Sequence, residues 1–188
     1  MMYSFRSQHG LTLIESLVAV FIFSLSLVAL MVISSRGIQS IAVASTRATA
    51  QFLAQEGIEI IEAIRDDNFL NVNSSSWLAN LDPCMTGNGC YISAFEFAPT
   101  PSSSAVVNPV ECSSSCPPLL RTTGANESEY YYGSGDLTSF VRTIQIKGDP
   151  SNDVARIISN VRWSRSGVDY DVEVVKYMMN WFQPTLTP

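Results

Sequence analysis

LTLIESLVAVFIFSLSLVALMVI, residues 11–33, decides the fold of this chain, because it contains a single charged side chain, that of Glu15. As a helix rising 1.5 Å per residue, this stretch is about 35 Å long, enough to cross a bilayer core of about 30 Å. A cleavable secretory signal has a shorter apolar region, of about 7 to 15 residues. We therefore predict a retained transmembrane helix over residues 11–33, preceded by a polar leader over residues 1–10.

The position of Glu15 within this apolar run calls for an explanation. A carboxylate inside the hydrocarbon costs about 2.5 to 3.5 kcal/mol on insertion scales. One interpretation is a carboxylate at the start of a helix, which interacts favourably with the helix dipole and reaches toward the lipid headgroups. The other is a carboxylate that pairs with a cation held at the same depth. The run itself contains no such cation.

The segment GLTLIES, residues 10–16, follows a short polar leader and opens the apolar run. It resembles the cleavage and methylation segment of type IV prepilins and pseudopilins. In that family a membrane peptidase cuts after the glycine, the new amino terminus is N-methylated, and a glutamate occupies the fifth mature position. The resemblance implies cleavage between Gly10 and Leu11, N-methylation of Leu11 and a role in assembly for Glu15, paired with the amino terminus of a neighbouring subunit.

The same resemblance implies where the protein resides and what it contacts. The expected location is the bacterial inner membrane, as a single-pass protein with its leader in the cytoplasm, followed by a surface or periplasmic filament after assembly. The expected partners are membrane lipid before assembly, the prepilin peptidase, the inner-membrane assembly machinery and other pilin subunits. A small-molecule substrate and a cofactor are not expected, and nucleic acid would be a partner only within a DNA-uptake system.

The apolar run continues into an amphipathic helix without an obvious turn. One set of residues at helical spacing reads Ile38, Ile41, Ala42, Ser45, Ala48 and Phe52, and a second set reads Ala50, Leu53, Gly57, Ile60, Ile61 and Ile64. The predicted helix therefore runs from Leu11 to about Asp66, with residues 34–67 as the amphipathic continuation. Gly37 is its weak point, because glycine costs about 1 kcal/mol in a helix interior.

Residues 68–188 are predicted to form one extracytoplasmic domain. Three segments near the end of the chain alternate apolar and polar residues, around Thr138 to Ile146, Ile157 to Trp163 and Val168 to Val174. Short polar turns join them, which predicts an antiparallel meander. The predicted fold class is α+β, with the long helix packed on a C-terminal antiparallel sheet in a pilin-like arrangement. Trp181 and Phe182 are expected to complete the core.

The segments before the meander are harder to assign. We predict a loop over residues 68–89 pinned by Trp77, Leu78 and Leu81, a strand over residues 91–97, a loop over residues 99–118 and a short strand over residues 119–121. Residues 130–132 are predicted as a half-buried strand, because tyrosine is common in such strands.

Four cysteines lie in two close pairs, Cys84 with Cys90 and Cys112 with Cys116. An even number of cysteines in an extracytoplasmic domain predicts disulfides; three connectivities are possible, and the two local pairs are favoured. A four-cysteine zinc site is the alternative, but spacings of six and four residues fit it poorly. We predict two local disulfides and no metal.

The sequence offers no catalytic set. The only histidine, His9, lies in the leader, so the mature chain lacks an imidazole base, and no glycine-rich phosphate loop follows a strand. The net charge of −6 disfavours a general nucleic-acid-binding surface. We therefore predict a structural protein, a minor pilin or pseudopilin, with no enzymatic activity. A monomeric membrane-anchored binding domain that never polymerises is the alternative.

Overall fold

A computed structural model describes residues 12–70, 76–93, 108–122, 129–133, 135–148 and 153–181. The chain divides into two compact units, Met1–Thr46 and Arg47–Pro188. In the described part of the first unit there is one element, the beginning of helix α1. The second unit contains the remainder of α1 and the sheet.

Helix α1 spans Leu13–Leu70 and contains no proline. The residue before it, Thr12, caps the helix, because its hydroxyl accepts a hydrogen bond of 3.4 Å from the backbone N–H of Glu15. The helix ends later than predicted. Asn68 was expected in a loop, but its buried side-chain amide donates to the carbonyls of Trp77 and Ala79, at 3.3 and 2.8 Å. These hydrogen bonds hold the last turn of α1 against the segment that follows it. Because both acceptors lie outside the helix, the sequence around Asn68 did not indicate them.

The antiparallel meander is confirmed. It consists of three strands of 12 residues each: β5 (Asp136–Lys147), β6 (Val154–Arg165) and β7 (Val168–Met179). Four shorter strands precede them in the chain and are numbered β1 to β4. Strand β6 pairs with both neighbours. Ser166 and Gly167 connect β6 to β7 with φ of 53° and 77°. A two-residue loop with both φ values positive is the hairpin connection that matches strand twist.

The other side of β5 carries four short strands. They are β1, Cys90–Tyr91, β2, Val110–Glu111, β3, Pro118–Arg121, and β4, Tyr130–Tyr131; a one-turn helix α2, Asp82–Met85, precedes them. Strands β1 and β3 both pair with β5, while β2 and β4 form the outer positions. The predicted strand over residues 119–121 and the half-buried strand at Tyr130 are confirmed. Trp77, Leu78 and Leu81 are buried, as predicted, but the segment predicted as a loop over residues 68–89 contains the end of α1 and the one-turn helix α2.

Three predictions in this region need correction or fall outside the described residues. Residues 99–118 were predicted as a loop, but the segment contains β2, which pairs with β1 through Cys90 and Glu111. Of the strand predicted over residues 91–97, the structure describes residues 91–93, where only Tyr91 is in a strand; residues 94–97 lie outside the described residues. Trp181 does not complete the core, because it is 65% exposed; its ring lies beside that of Phe69, with ring centroids 5.0 Å apart. Phe182 also lies outside the described residues.

The core lies between the second half of α1 and the inner face of the sheet. The second helical set is buried as predicted, from Ala50 to Ile64. Small residues of the helix, Ala50 and Ala54, lie against the large rings of Phe140 and Trp163, whereas isoleucines farther along α1 pack on Ile144 and Ile157. The first set remains on the solvent side of the helix, with Ile38, Ile41 and Phe52 each at least two-thirds exposed.

Gly57 marks the closest approach of α1 to the sheet. A Cβ atom at this position would lie 2.9 Å from Ser159 Oγ and 3.1 Å from both Arg142 Cδ and Ile144 Cδ1. Real Cβ atoms essentially never come within 3.0 Å of another heavy atom. The helix therefore packs against β5 and β6 at a distance that only glycine permits.

Gly57→Ala should destabilise the second unit although alanine favours helix. Overpacking costs about 1 to 3 kcal/mol, whereas the gain in helix propensity is about 1 kcal/mol, so we expect a net loss of about 1 kcal/mol. The measurement is urea unfolding of the full chain, followed by tryptophan fluorescence. Gly37→Ala is the control, because nothing lies within 4 Å of that position, and it should leave this transition unchanged. A more stable Gly57→Ala protein would contradict the close packing.

Candidate assembly and membrane site

The apolar part of α1 is long enough to cross a membrane, and none of its most apolar 18-residue window is buried within the chain. Its hydroxyl groups are bonded within the helix. Ser24 Oγ donates to the carbonyl of Phe21 at 2.8 Å, and Ser26 Oγ donates to that of Ile22 at 2.9 Å. A hydroxyl that is already bonded costs less to place in hydrocarbon than a free one. The described part of the run therefore presents a continuous lipid-compatible surface.

Glu15 occupies the third position of α1, three residues after the capping Thr12. Thr-x-x-Glu at a helix start is the capping-box pattern, and a carboxylate there also interacts favourably with the helix dipole. The residue is exposed. Within residues 12–70 its carboxylate forms no ion pair. The predicted cleavage residues, Gly10 and Leu11, lie outside the described residues.

The cysteines form two disulfides in the two local pairings. Cys84 bonds to Cys90, and Cys112 bonds to Cys116. All four cysteines are buried. The two loops are joined to each other, because the backbone N–H of Cys112 donates to the carbonyl of Gly89 at 2.9 Å. Together the disulfides fix the short strands that flank β5.

A buried arginine fastens the helix to the sheet. The Arg142 side chain, on the inner face of β5, is completely buried. Its Nη1 donates to the carbonyl of Leu53 in α1 at 3.0 Å and lies 3.2 Å from a carboxylate oxygen of Glu56. Its Nη2 donates to the carbonyl of Ile92, after β1, at 2.7 Å. One guanidinium therefore joins α1, β5 and the segment after β1.

This cluster affects the ionisation of its neighbours. Burial raises the pKa of the Glu56 carboxyl above its ordinary value; the Arg142 guanidinium opposes the rise and the Glu59 carboxylate adds to it. Burial also raises the pKa of the Tyr132 phenol, again opposed by Arg142. The Glu56 side chain is still 30% exposed, so water screens part of its interaction with Arg142. The cluster is a structural junction, since one completely buried guanidinium bonds to backbone carbonyls of α1 and of the segment after β1.

Sequence reasoning did not identify this junction. Arg142 sits between Phe140 and Ile144 at an inward position of an alternating strand, where an apolar residue is expected. That anomaly was the available signal, together with the adjacent Glu56 and Gly57 on the buried face of α1. A charged residue at a core position of a strand indicates a buried partner elsewhere in the chain.

Residues 5–31 match the family model for the prokaryotic N-terminal methylation motif. The match shows that the chain carries this motif in its amino-terminal part. The match covers Glu15 and the apolar run as far as residue 31, and it supports the resemblance of this segment to the type IV prepilins and pseudopilins. No curated protein and no solved structure matched the chain. The methylation motif and the long apolar helix together fit a membrane-anchored single-pass protein, and pilin-motif proteins are typically structural.

The titration of Glu56 gives the stability of this protein a testable pH dependence. Because its folded pKa is raised, the folded state binds more protons between the ordinary glutamate pKa, about 4.3, and the raised value. The Glu56 contribution to stability is therefore present below this window and decreases as pH rises through it. We expect the free energy of unfolding of the wild type, minus that of Glu56→Gln, to fall with rising pH in this window.

The measurement is a series of urea unfolding curves at fixed ionic strength across pH 4 to 8. Glu111→Gln, at an exposed position on β2, is measured in parallel as the control for the loss of a surface carboxylate. A Glu56 difference that rises with pH would mean that pairing with Arg142 outweighs burial.

Proposed function

We propose that this protein is a minor pilin or pseudopilin, cleaved after Gly10, N-methylated at Leu11 and assembled into a type IV filament through its N-terminal helix. The observation that supports this proposal best is the methylation motif over residues 5–31, placed at the start of an exposed helix that carries one charge in its apolar run. The protein performs no chemistry of its own. Before assembly it resides in the inner membrane with its leader in the cytoplasm.

The exposed face of α1 supports assembly through the helix. Apolar exposure does not stop at residue 33, where a bilayer-spanning segment would end. Ile38, Ile41 and Phe52 continue it, at 67%, 69% and 70% exposure. A monomeric anchor has no need of apolar side chains beyond the bilayer, whereas a helix that packs among neighbouring helices does. This observation favours the filament over the anchored monomer that never polymerises.

The charge of Glu15 would favour association of the helix with a neighbouring subunit. Cleavage after Gly10 would create an ammonium group at Leu11, four residues before Glu15. Two buried charges of opposite sign relieve each other's desolvation cost when they pair. Such pairing between neighbouring subunits would favour the filament over dispersed monomers. The partners are therefore other pilin subunits, the prepilin peptidase and the assembly machinery.

Processing is the first test. We expect mass spectrometry of the membrane-extracted protein to find an amino terminus at Leu11 that carries a methyl group, in cells that contain a prepilin peptidase. Gly10→Lys should block the cut, because the family's peptidase cuts after glycine and a long charged side chain would occupy the space that glycine leaves. An intact Met1 in peptidase-positive cells, or a terminus within residues 42–45, would contradict the proposal.

Glu15→Leu separates the filament from the anchored monomer. In a monomer the substitution removes a costly charge from the membrane and leaves insertion unchanged or improved. In a filament it leaves the Leu11 ammonium of a neighbour without a partner at depth, a loss that reaches several kcal/mol where water is excluded. We expect normal insertion and cleavage but poor recovery in sheared filaments.

Ser24→Leu is the matched control for this substitution. It removes a polar group from the same apolar run, but the Ser24 hydroxyl is bonded within its own helix. We expect Ser24→Leu to enter filaments as the wild type does. Equal incorporation of Glu15→Leu and Ser24→Leu would contradict the role assigned to Glu15.

A further inference from the structure

The outer face of the meander, opposite the face that packs on α1, carries polar side chains in matched positions. Arg162 in β6 is directly opposite Val141 of β5 on one side and Asp171 of β7 on the other. One pair farther along, Asn160 lies between Thr143 and Glu173. Side chains that donate hydrogen bonds on β6 therefore lie beside carboxylates on β7 in this part of the face.

Two neighbouring cavities open on this polar area. The first has a volume of about 440 Å³ and the second about 330 Å³. Both are lined by Ser115, Asn160 and Arg162, so they form one continuous depression, which we call the outer-face groove. Trp163 and Tyr170 contribute to one end. Each volume falls within the range of about 300 to 1,000 Å³ that is typical of sites for small ligands.

The wall of the groove is held in place by covalent and hydrogen bonds. Ser115 belongs to the loop closed by the disulfide between Cys112 and Cys116. Asn88 Nδ2 donates to the carbonyl of Ser113 at 3.2 Å, and Gln145 Nε2 donates to that of Gly87 at 2.9 Å. A wall that is already ordered loses little conformational entropy when a ligand binds.

The polar groups of the groove are available to a ligand. Within the part of the chain that the structure describes, the side chains of Arg162, Asp171 and Glu173 take part in no hydrogen bond or ion pair. A guanidinium only donates hydrogen bonds, a carboxylate only accepts them, and an amide such as that of Asn160 does both. A ligand that satisfies this mixture must offer donors and acceptors at close spacing.

The charges select among the ligands that meet this requirement. An anion would be repelled by Asp171 and Glu173, and a cation would be repelled by Arg162. A sugar hydroxyl both donates and accepts, so neighbouring hydroxyls can bind a carboxylate and a guanidinium at once. The groove therefore matches a neutral polyhydroxylated ligand, and its two cavities match a chain of sugar rings.

We propose that the outer-face groove binds a short neutral oligosaccharide. This binding is a function separate from filament assembly, because every lining residue lies in the second unit, Arg47–Pro188. It would allow a filament that contains this subunit to recognise a glycan surface.

The test uses the full chain in lauryldimethylamine oxide, a detergent without a sugar headgroup. Cellotriose, maltotriose and triacetylchitotriose are titrated separately, and binding is followed by saturation-transfer NMR on the sugar protons. We expect saturable binding of at least one trisaccharide. Arg162→Ala and Asp171→Ala should each weaken it about tenfold or more, because each removes hydrogen bonds to a charged group. Lys147→Ala, on the same face but outside the groove, should bind as the wild type does.

Three results would overturn the proposal. The first is no binding of any of the three sugars at millimolar concentration. The second is binding that both groove variants leave unchanged, which would place the sugar elsewhere. The third is preferential binding of spermidine that strengthens in Arg162→Ala, which would make the groove an acidic site for a polycation. Arg162, Asp171 and Lys147 are all exposed, so the alanine variants should fold.

Discussion

The Arg142 guanidinium is the interaction on which the organisation of the globular unit depends. It is completely buried, and its bonds reach the carbonyl of Leu53 in the helix and the carbonyl of Ile92 beside the sheet. A buried charge without partners costs several kcal/mol, so the positions of its acceptors are strongly constrained. Gly57 permits the close approach that these short bonds require, because any side chain there would meet Arg142 and Ser159. Helix register, strand register and the path after β1 are thereby fixed by one side chain.

The two halves of the long helix α1 have surfaces suited to different environments. From Ala50 to Ile64 its buried residues recur at helical spacing and face the sheet, which gives that half a partner within its own chain. From Leu13 to Ile33 apolar residues surround the whole helix and none is buried. Because the hydrophobic effect drives apolar surface out of water, this half needs lipid or other chains. The chain thus separates folding, which the second half of α1 completes, from association, which the first half requires.

Periodicity predicted the elements that depend on local pattern. The alternation in residues 138–146, 157–163 and 168–174 predicted β5, β6 and β7, and the set from Ala50 to Ile64 predicted the buried face of α1. The failures share a physical cause, since each depends on contacts between residues far apart in sequence. Asn68 extends the helix because carbonyls nine and eleven residues later accept its hydrogen bonds. Strand β2 forms because β1 provides a pairing edge, and Arg142 is buried because its acceptors come from positions 53 and 92.

Glu15 occupies a favourable position at the start of a helix, and its carboxylate can still pair with a group from another chain. Its backbone N–H is capped by Thr12, so the helix start is stable without its carboxylate. The capping-box position and the helix dipole favour a carboxylate there by about 0.3 to 1 kcal/mol. This gain is smaller than the cost of about 2.5 to 3.5 kcal/mol for an acidic side chain within hydrocarbon. Local helix stabilisation therefore does not account for a glutamate in this run. The remaining cost calls for a cation at the depth of the carboxylate, and the Leu11 ammonium of a neighbouring subunit, proposed above as the partner of Glu15, would supply one.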